Sequence, residues 1–313
     1  MEYQLRNYSW PPPDDAFTPS TPGWIQLMRD RFAQVQEMDD RYGIFHQMVH
    51  SALLAPNFTE YGFGLARAPD PLIKLLQAAI HEGLETAEFE HEINIILGPR
   101  PKFIKRPDVR DMVLHKLQSY AEEWAGMPLI ASQAYGFRLY QNNTRLMMHC
   151  DRLKTHVISF ILHIDSSNDA EPWPLFIEDF YGVTHEVVLT PGDILFYESS
   201  KCYHGRPKPF HGSWYTSIFS HYYPLDWKDA DHDAEAHYAI PPSWKEDPTG
   251  KSDLPKLIPR GMSLEELDCP YGWCRTQDAV KWSGPGVPGY WIKPNQEKVP
   301  FHPKEPEFGS DEL

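Results

Sequence analysis

Over residues 1–126 the apolar positions recur with a helical period. Trp24, Leu27, Met28, Phe32 and Val35 lie on one stripe after Gly23, and Tyr42, Phe45, Met48 and Val49 predict a second helix. Asp70-Pro71 places a capping side chain before a proline at the first helical position; Leu72, Leu75, Leu76, Ala79 and Ile80 then form one stripe that Gly83 closes. Asp108 opens a further helix carrying Val109, Met112, Leu117, Tyr120 and Trp124, ended by Gly126. The expectation is a mainly helical layer preceded by an extended arm over residues 1–20, where Pro11-Pro12-Pro13 stands. Its Met and aromatic stripes read as core.

After Gly126 the period shortens. Strand-like runs follow at Ile130 to Tyr140, His156 to Ile164, Leu175 to Ile177, Glu186 to Leu189, Ile194 to Tyr197 and Trp214 to Tyr222, with a turn at Thr190-Pro191-Gly192-Asp193. Many short strands with polar connections and no intervening helix predict antiparallel sheets. The fold class expected is mainly β with an α-helical layer, its core a double-stranded β-helix (a cupin-like jelly-roll) over residues 127–224. Residues 225–313, rich in Pro, Trp and Gly with a short helical signal at Ser263 to Leu267, read as an irregular extension packed on that core and anchored by Trp273, Trp282 and Trp291. The three segments are expected to form one catalytic unit.

Composition narrows the function classes. A chain of 313 residues that is 41% hydrophobic can bury a substantial core. The formal charge of -15, from 29 Lys+Arg against 44 Asp+Glu, repels phosphate backbones and argues against nucleic acid. No apolar run approaches the ~20 residues of a membrane span. Met1-Glu2-Tyr3-Gln4-Leu5-Arg6 lacks a signal-peptide core, so the chain as written is expected in the cytoplasm. The 4 cysteines are scattered and read as free thiols; Cys269 and Cys274 are near enough to pair but match no zinc motif. Gly309-Ser310-Asp311-Glu312-Leu313 resembles a Lys-Asp-Glu-Leu retention signal with Ser in place of Lys, and Asn7, Asn57 and Asn142 open sequons. The ER lumen is therefore the alternative location if a signal precedes the chain. Nothing in the sequence sets an oligomeric state.

The chemistry concentrates between Phe137 and Pro224. In His149-Cys150-Asp151, side chains i and i+2 of a strand share a face, so His149 and Asp151 can reach one ion while Cys150 points away. His204, in Tyr203-His204-Gly205-Arg206, supplies a third ligand once the sheet folds back. Two imidazoles and a carboxylate on one side of a metal leave the other side open, the arrangement of non-haem Fe(II) centres. A second triplet, His163-Ile164-Asp165, ends an apolar strand and runs into Ser166-Ser167-Asn168-Asp169, where Asp165 is a turn starter. His221 is a rival for the last ligand, but Tyr222-Tyr223-Pro224 puts it at a strand end. His156 and His211 read as structural or exposed.

The ordered set Phe137-Arg138-Leu139-Tyr140, His149-Cys150-Asp151, Thr155-His156-Val157-Ile158-Ser159, Pro191-Gly192-Asp193 and Phe196-Tyr197-Glu198-Ser199, followed by His204-Gly205-Arg206, resembles the prolyl 4-hydroxylase-like group of 2-oxoglutarate/Fe(II)-dependent dioxygenases. The resemblance spans about residues 130 to 224. It implies Fe(II) on His149, Asp151 and His204, and 2-oxoglutarate and O₂ as co-substrates, with succinate and CO₂ released as an unactivated C–H bond is oxidised. The family's Lys, ten residues after the last His, is replaced by Trp214. The distal carboxylate of 2-oxoglutarate needs a buried cation. Arg206 is the replacement candidate because it shares a face with His204 if the strand continues; Lys208 and Arg138 are reserves, and Tyr140 and Thr216 offer hydroxyls.

Three functions compete. The first is hydroxylation or oxidative cyclisation of a small amino-acid-like or natural-product substrate. The second is a peptidyl-prolyl or other protein hydroxylase. The third is a non-catalytic jelly-roll binding module, disfavoured because all three ligand positions carry suitable residues. Without an accessory peptide-binding domain the small molecule is favoured.

Overall fold

The computed structural model describes residues 12–36, 41, 45, 49–91, 95–227, 278–282, 285–304 and 306. Tyr42 and Met48 of the second predicted helix, the 263–267 signal, Cys269, Trp273, Cys274, Asn7 and the C-terminal tail lie outside the described residues.

The first part of the chain builds α1 (Pro22–Val35), α2 (His50–Leu54), β1 (Phe63–Arg67), α3 (Asp70–Gly83), β2 (Glu88–Phe89), β3 (Ile96–Leu97), β4 (Lys102–Phe103), α4 (Pro107–Lys116) and α5 (Gln118–Ala125). Prolines start α3 and α4 within their first two positions, where the missing N–H costs nothing. Asp70 lies inside the first turn rather than capping it, so its charge acts on the helix dipole. The helix expected from Asp108 to Gly126 is two, broken at Leu117. Gly126 ends the second with φ 68° and donates its N–H to Glu122 O at 2.8 Å.

Eight strands follow: β5 (Leu129–Tyr140), β6 (Arg145–His149), β7 (Ile158–Ser166), β8 (Leu175–Glu178), β9 (Thr184–Val187), β10 (Asp193–Tyr197), β11 (His204–Arg206) and β12 (Tyr215–Pro224). One sheet contains β10-β7-β12-β5 and the other β9-β8-β11-β6, with antiparallel pairing throughout. The chain crosses between the sheets in the order of two interlocked Greek keys. This strand order is a double-stranded β-helix. The sheet periodicity of the sequence is therefore realised as the expected jelly-roll with helices on one face.

Two expectations change. The region before Gly126 is not only helical, because β1 joins the large sheet beside β10 and β4 joins it beside β5. The extension is not irregular over residues 278–282 and 285–304. It adds β13 (Val280–Trp282) parallel to β9, and β14 (Tyr290–Ile292), paired with β1 and followed by β15 (Lys298–Pro300). These strands escape a periodicity reading because they are short and lean on neighbours. Gly64 in β1 is an instance: a Cβ there would come within 2.7 Å of Trp291 and 2.8 Å of Trp124, so the absent side chain admits both indoles. Strand β9 also starts two residues earlier than Glu186, because Thr184 and His185 pair with Glu178 and Ile177 of β8.

One core unites α1 and α2 with the small sheet and with Phe63, Leu65, Ile161, Leu195 and Tyr197 of the large one. A second lies between α3 to α5 and the outer face of the large sheet, where Phe160, Leu162, Phe196, Ile218 and Tyr222 are buried. Each such side chain contributes about 1.5–3 kcal/mol. Residues alternating with these along β7, β10 and β12 face the small sheet across the barrel, and there the polar groups gather.

Candidate metal centre

Strand β6 ends at His149 and β11 begins at His204, and the two residues are direct partners across the antiparallel pair. Their ring centroids are 4.4 Å apart. Asp151 lies just past the strand end, where its N–H donates to Ser199 O at 2.8 Å and its Oδ1 comes within 3.5 Å of His149 Nε2. One ligand atom from each of His149, Asp151 and His204 lies within 4.8 Å of the others. Cys150 turns away to Lys201 O at 3.4 Å and is not part of the group, and burial pushes its thiol up to about 12. The His163 triplet is not part of this group.

Local hydrogen bonds set the protonation. His149 Nδ1 is 2.8 Å from Met147 O, and His204 Nδ1 is 2.8 Å from Cys202 O. A carbonyl can only accept, so both Nδ1 atoms carry the proton and both Nε2 atoms keep a lone pair. Burial, followed by neighbouring His149, lowers His204 to about 4, which keeps it neutral at physiological pH. Burial alone would raise Asp151, but as the site acidifies the protonated forms of His149, His204 and His221 more than offset it and hold the carboxyl well below its usual range. Asp151 Oδ2 is enclosed and has no hydrogen-bond partner. Two fixed lone pairs, an ionised carboxylate and an orphaned buried oxygen fit a divalent cation; in the Fe(II) case, His149, Asp151 and His204 would hold it.

His221 is not in this set. Its Nδ1 is 3.9 Å from Asp151 Oδ2 but 2.7 Å from Ser159 Oγ, to which it is committed. Burial, then His156, lowers it to about 3.

Arg206 is 3% exposed and lies between Trp173, 4.7 Å from its ring centroid, and Tyr215, 4.9 Å from its own. It donates to Trp173 O and, at 3.1 Å, to the Tyr215 hydroxyl. Among the described residues no carboxylate pairs with it. The reserves are otherwise engaged. Lys208 reaches Glu186 at 2.8 Å with 37% of its side chain exposed, outside the barrel interior. Arg138 grips Glu90 through Nε–Oε2 at 2.6 Å and Nη2–Oε1 at 2.7 Å, which neutralises it, and its Nη1 lies 3.4 Å from the Tyr140 hydroxyl. Tyr140 is buried beside Trp173 and Tyr215. Thr216 is displaced from the site: its strand partners are Leu139 and Asp165, which face the helical layer, and it shares that face with Ile218.

The inward row of β12 is Tyr215, Ser217, Phe219 and His221. Sequence reading took the hydroxyl from the wrong parity, since Ser217 stands where Thr216 was expected, opposite Arg138 and His163. His163, stacked on Tyr215 at 4.1 Å and 4°, donates from Nδ1 to Thr216 O at 3.0 Å and lines the Arg206 end. Tyr197, missed entirely, meets the His204 ring at 4.7 Å. The alternation Tyr-x-Ser-x-Phe-x-His was the available signal for the first three.

No family model matches the chain, and no curated protein does. Among solved structures it is similar to a prolyl-4-hydroxylase from Pseudomonas putida (18% identity, 52% of this chain and 93% of that one, TM-score 0.42). It is also similar to HygX from Streptomyces hygroscopicus with nickel, 2-oxoglutarate and hygromycin B bound (10% identity, 53% and 84%, TM-score 0.41). A third is a prolyl hydroxylase from Trichoplax adhaerens in complex with a hypoxia inducible factor peptide (12% identity, 64% and 97%, TM-score 0.42). At these values the likeness adds nothing to what the strand order and side chains establish here.

Proposed function

We propose that the protein is an Fe(II)- and 2-oxoglutarate-dependent oxygenase acting on an unactivated C–H bond of a small molecule. One observation carries the reading. A His-Asp-His set with two fixed Nε2 lone pairs shares the space between the sheets with a buried Arg206 that no described carboxylate neutralises. A buried cation is costly without an anion, and stacking on two rings offsets part of that cost. An anionic ligand completes the site, and a dicarboxylic oxo acid satisfies both ends.

In this reading His149, Asp151 and His204 hold Fe(II), which when bound supplies the redox chemistry coupling conversion of 2-oxoglutarate and O₂ to succinate and CO₂ with oxidation of the C–H bond. Arg206 binds the distal carboxylate with two donors, while the Tyr215, Tyr140 and Ser217 hydroxyls complete its hydrogen bonds. Met147 O and Cys202 O hold the imidazole tautomers through every stage. The flanking aromatic rings of Trp173, Tyr197 and Tyr215 exclude water. The depth of the ligands, with His149 6% and His204 3% exposed, supports a small substrate over a protein chain.

Incubation with Fe(II), O₂ and 2-oxoglutarate alone tests the class. Slow succinate formation in wild type that disappears in Asp151→Ala is the expected result. No succinate from protein that holds iron would refute the co-substrate, and turnover surviving Asp151→Ala would refute the site.

A further inference from the structure

Tyr215 and His221 lie six residues apart on the inward row of β12, roughly 20 Å along an extended strand. Arg206 packs on the first. At the second, the His221 and His156 rings are tilted by 39° with centroids 3.9 Å apart, and Tyr135 covers both, 5.5 Å from His221 and 6.1 Å from His156. Tyr135 is 38% exposed, His156 8% and His221 4%, so the cluster leads from the surface to Asp151. Nothing in the metal or 2-oxoglutarate reading uses it.

The hydrogen bonds here run in one direction. Ser199 Oγ donates its single proton to His156 O at 2.9 Å, because a carbonyl cannot donate. Ser199 Oγ must then accept from Ser159 Oγ at 2.7 Å. Ser159 has thereby used its proton and must accept from His221 Nδ1 at 2.7 Å. His221 is fixed as the Nδ1–H tautomer, and its Nε2 is a lone-pair acceptor that has no partner among the described residues and is not sealed from solvent. An acceptor built this way, on a ring whose Nδ1 end lies 3.9 Å from Asp151 Oδ2, rejects carbonyls and carboxylates and welcomes donors.

Resting on the oxygenase reading, we propose that His221 Nε2 is the acceptor that orients the substrate, and that the substrate carries an O–H or N–H donor on a planar or apolar frame packed against Tyr135 and His156. One such hydrogen bond is worth roughly 3- to 10-fold in affinity.

The test uses protein loaded with Zn(II) and 2-oxoglutarate, loading being titrated first, and two ¹⁹F probes that share a ring but differ in the donor, 4-fluorophenol and 4-fluoroanisole. Ligand-observed NMR should show the phenol binding roughly 3- to 10-fold tighter. That preference should vanish in His221→Phe and in Ser159→Ala, which frees the tautomer, and persist in part in His221→Gln, whose amide oxygen accepts. Equal affinity for the two probes, no binding of either, or an undiminished preference in folded His221→Phe or Ser159→Ala would overturn the proposal. If loading fails, the oxygenase reading falls, and the phenol preference measured on the unloaded protein still decides the role of His221.

Discussion

Arg206 and Tyr215 form a buried contact in which the guanidinium donates to the phenol oxygen at 3.1 Å and lies 4.9 Å from the ring centroid; in the proposed oxygenase this pair recognises the co-substrate. Trp214, which fills the position of the family's Lys, precedes that tyrosine and points elsewhere, against His81 at 6.0 Å. In the proposed oxygenase the cation comes instead from Arg206 on β11, in the opposite sheet.

Arg206→Met should therefore act oppositely on affinity and stability. The dissociation constant for 2-oxoglutarate rises by about 2–5 kcal/mol equivalent, as when one partner of a buried charge pair is removed. The ligand-free protein gains thermal stability, because a buried cation without a described anionic partner is replaced by an apolar side chain. Calorimetric titration and thermal melts measure both; parallel losses would show that Arg206 is structural.

Arg138→Met separates the two arginines. Glu90 loses a two-point partner and remains partly buried, so stability falls by about 3–5 kcal/mol. Affinity for 2-oxoglutarate should stay close to wild type in the folded fraction. A large loss of affinity with unchanged melting would move the carboxylate site to Arg138.

Acid sensitivity follows from the interior histidines. Burial, then Arg206, lowers His163 to about 3, so the folded protein holds it neutral while the unfolded chain protonates it near 6.5. The unfolded state binds more protons in between, and stability conferred by the neutral form is present above 6.5 and lost as pH falls from 6.5 toward 3. His163→Asn keeps a donor for Thr216 O but cannot titrate. Its stability-versus-pH slope in that window should be shallower by about one proton, as urea unfolding at a series of pH values would show.

Metal affinity should fall more than 10- to 100-fold in Asp151→Asn, beyond what removing an outer hydrogen-bond partner costs. Competition with a chromogenic chelator reads this directly. Unchanged affinity would exclude the Asp151 carboxylate from the centre.

Much of this was legible in the residues. The change of period at Gly126 reported sheets, because strands with one face on the core must alternate. The His149 and His204 pairing was legible from residue type and from the return of the chain, but the i, i+2 strand argument for Asp151 was not realised: β6 stops at His149, and Asp151 is placed by its bond to Ser199 O rather than by the pleat. Thr216 was misassigned for a related reason. A one-residue error of parity carries a side chain to the other face of a sheet, and no pattern at Tyr215-Thr216-Ser217 distinguishes two adjacent hydroxyls. The added strands β1, β13, β14 and β15 were invisible because their apolar runs are too short to show a period and the strands that tie them to the barrel are distant in sequence.

The most direct test of the central claim is anaerobic addition of Fe(II), then 2-oxoglutarate, to the metal-free protein, recording the visible charge-transfer band of the chelated oxo acid. Wild type should develop the band, His149→Ala should not, and Arg206→Ala should require far more 2-oxoglutarate to reach it. Stoichiometric iron without a band in wild type, or an undiminished band in His149→Ala, would contradict the account.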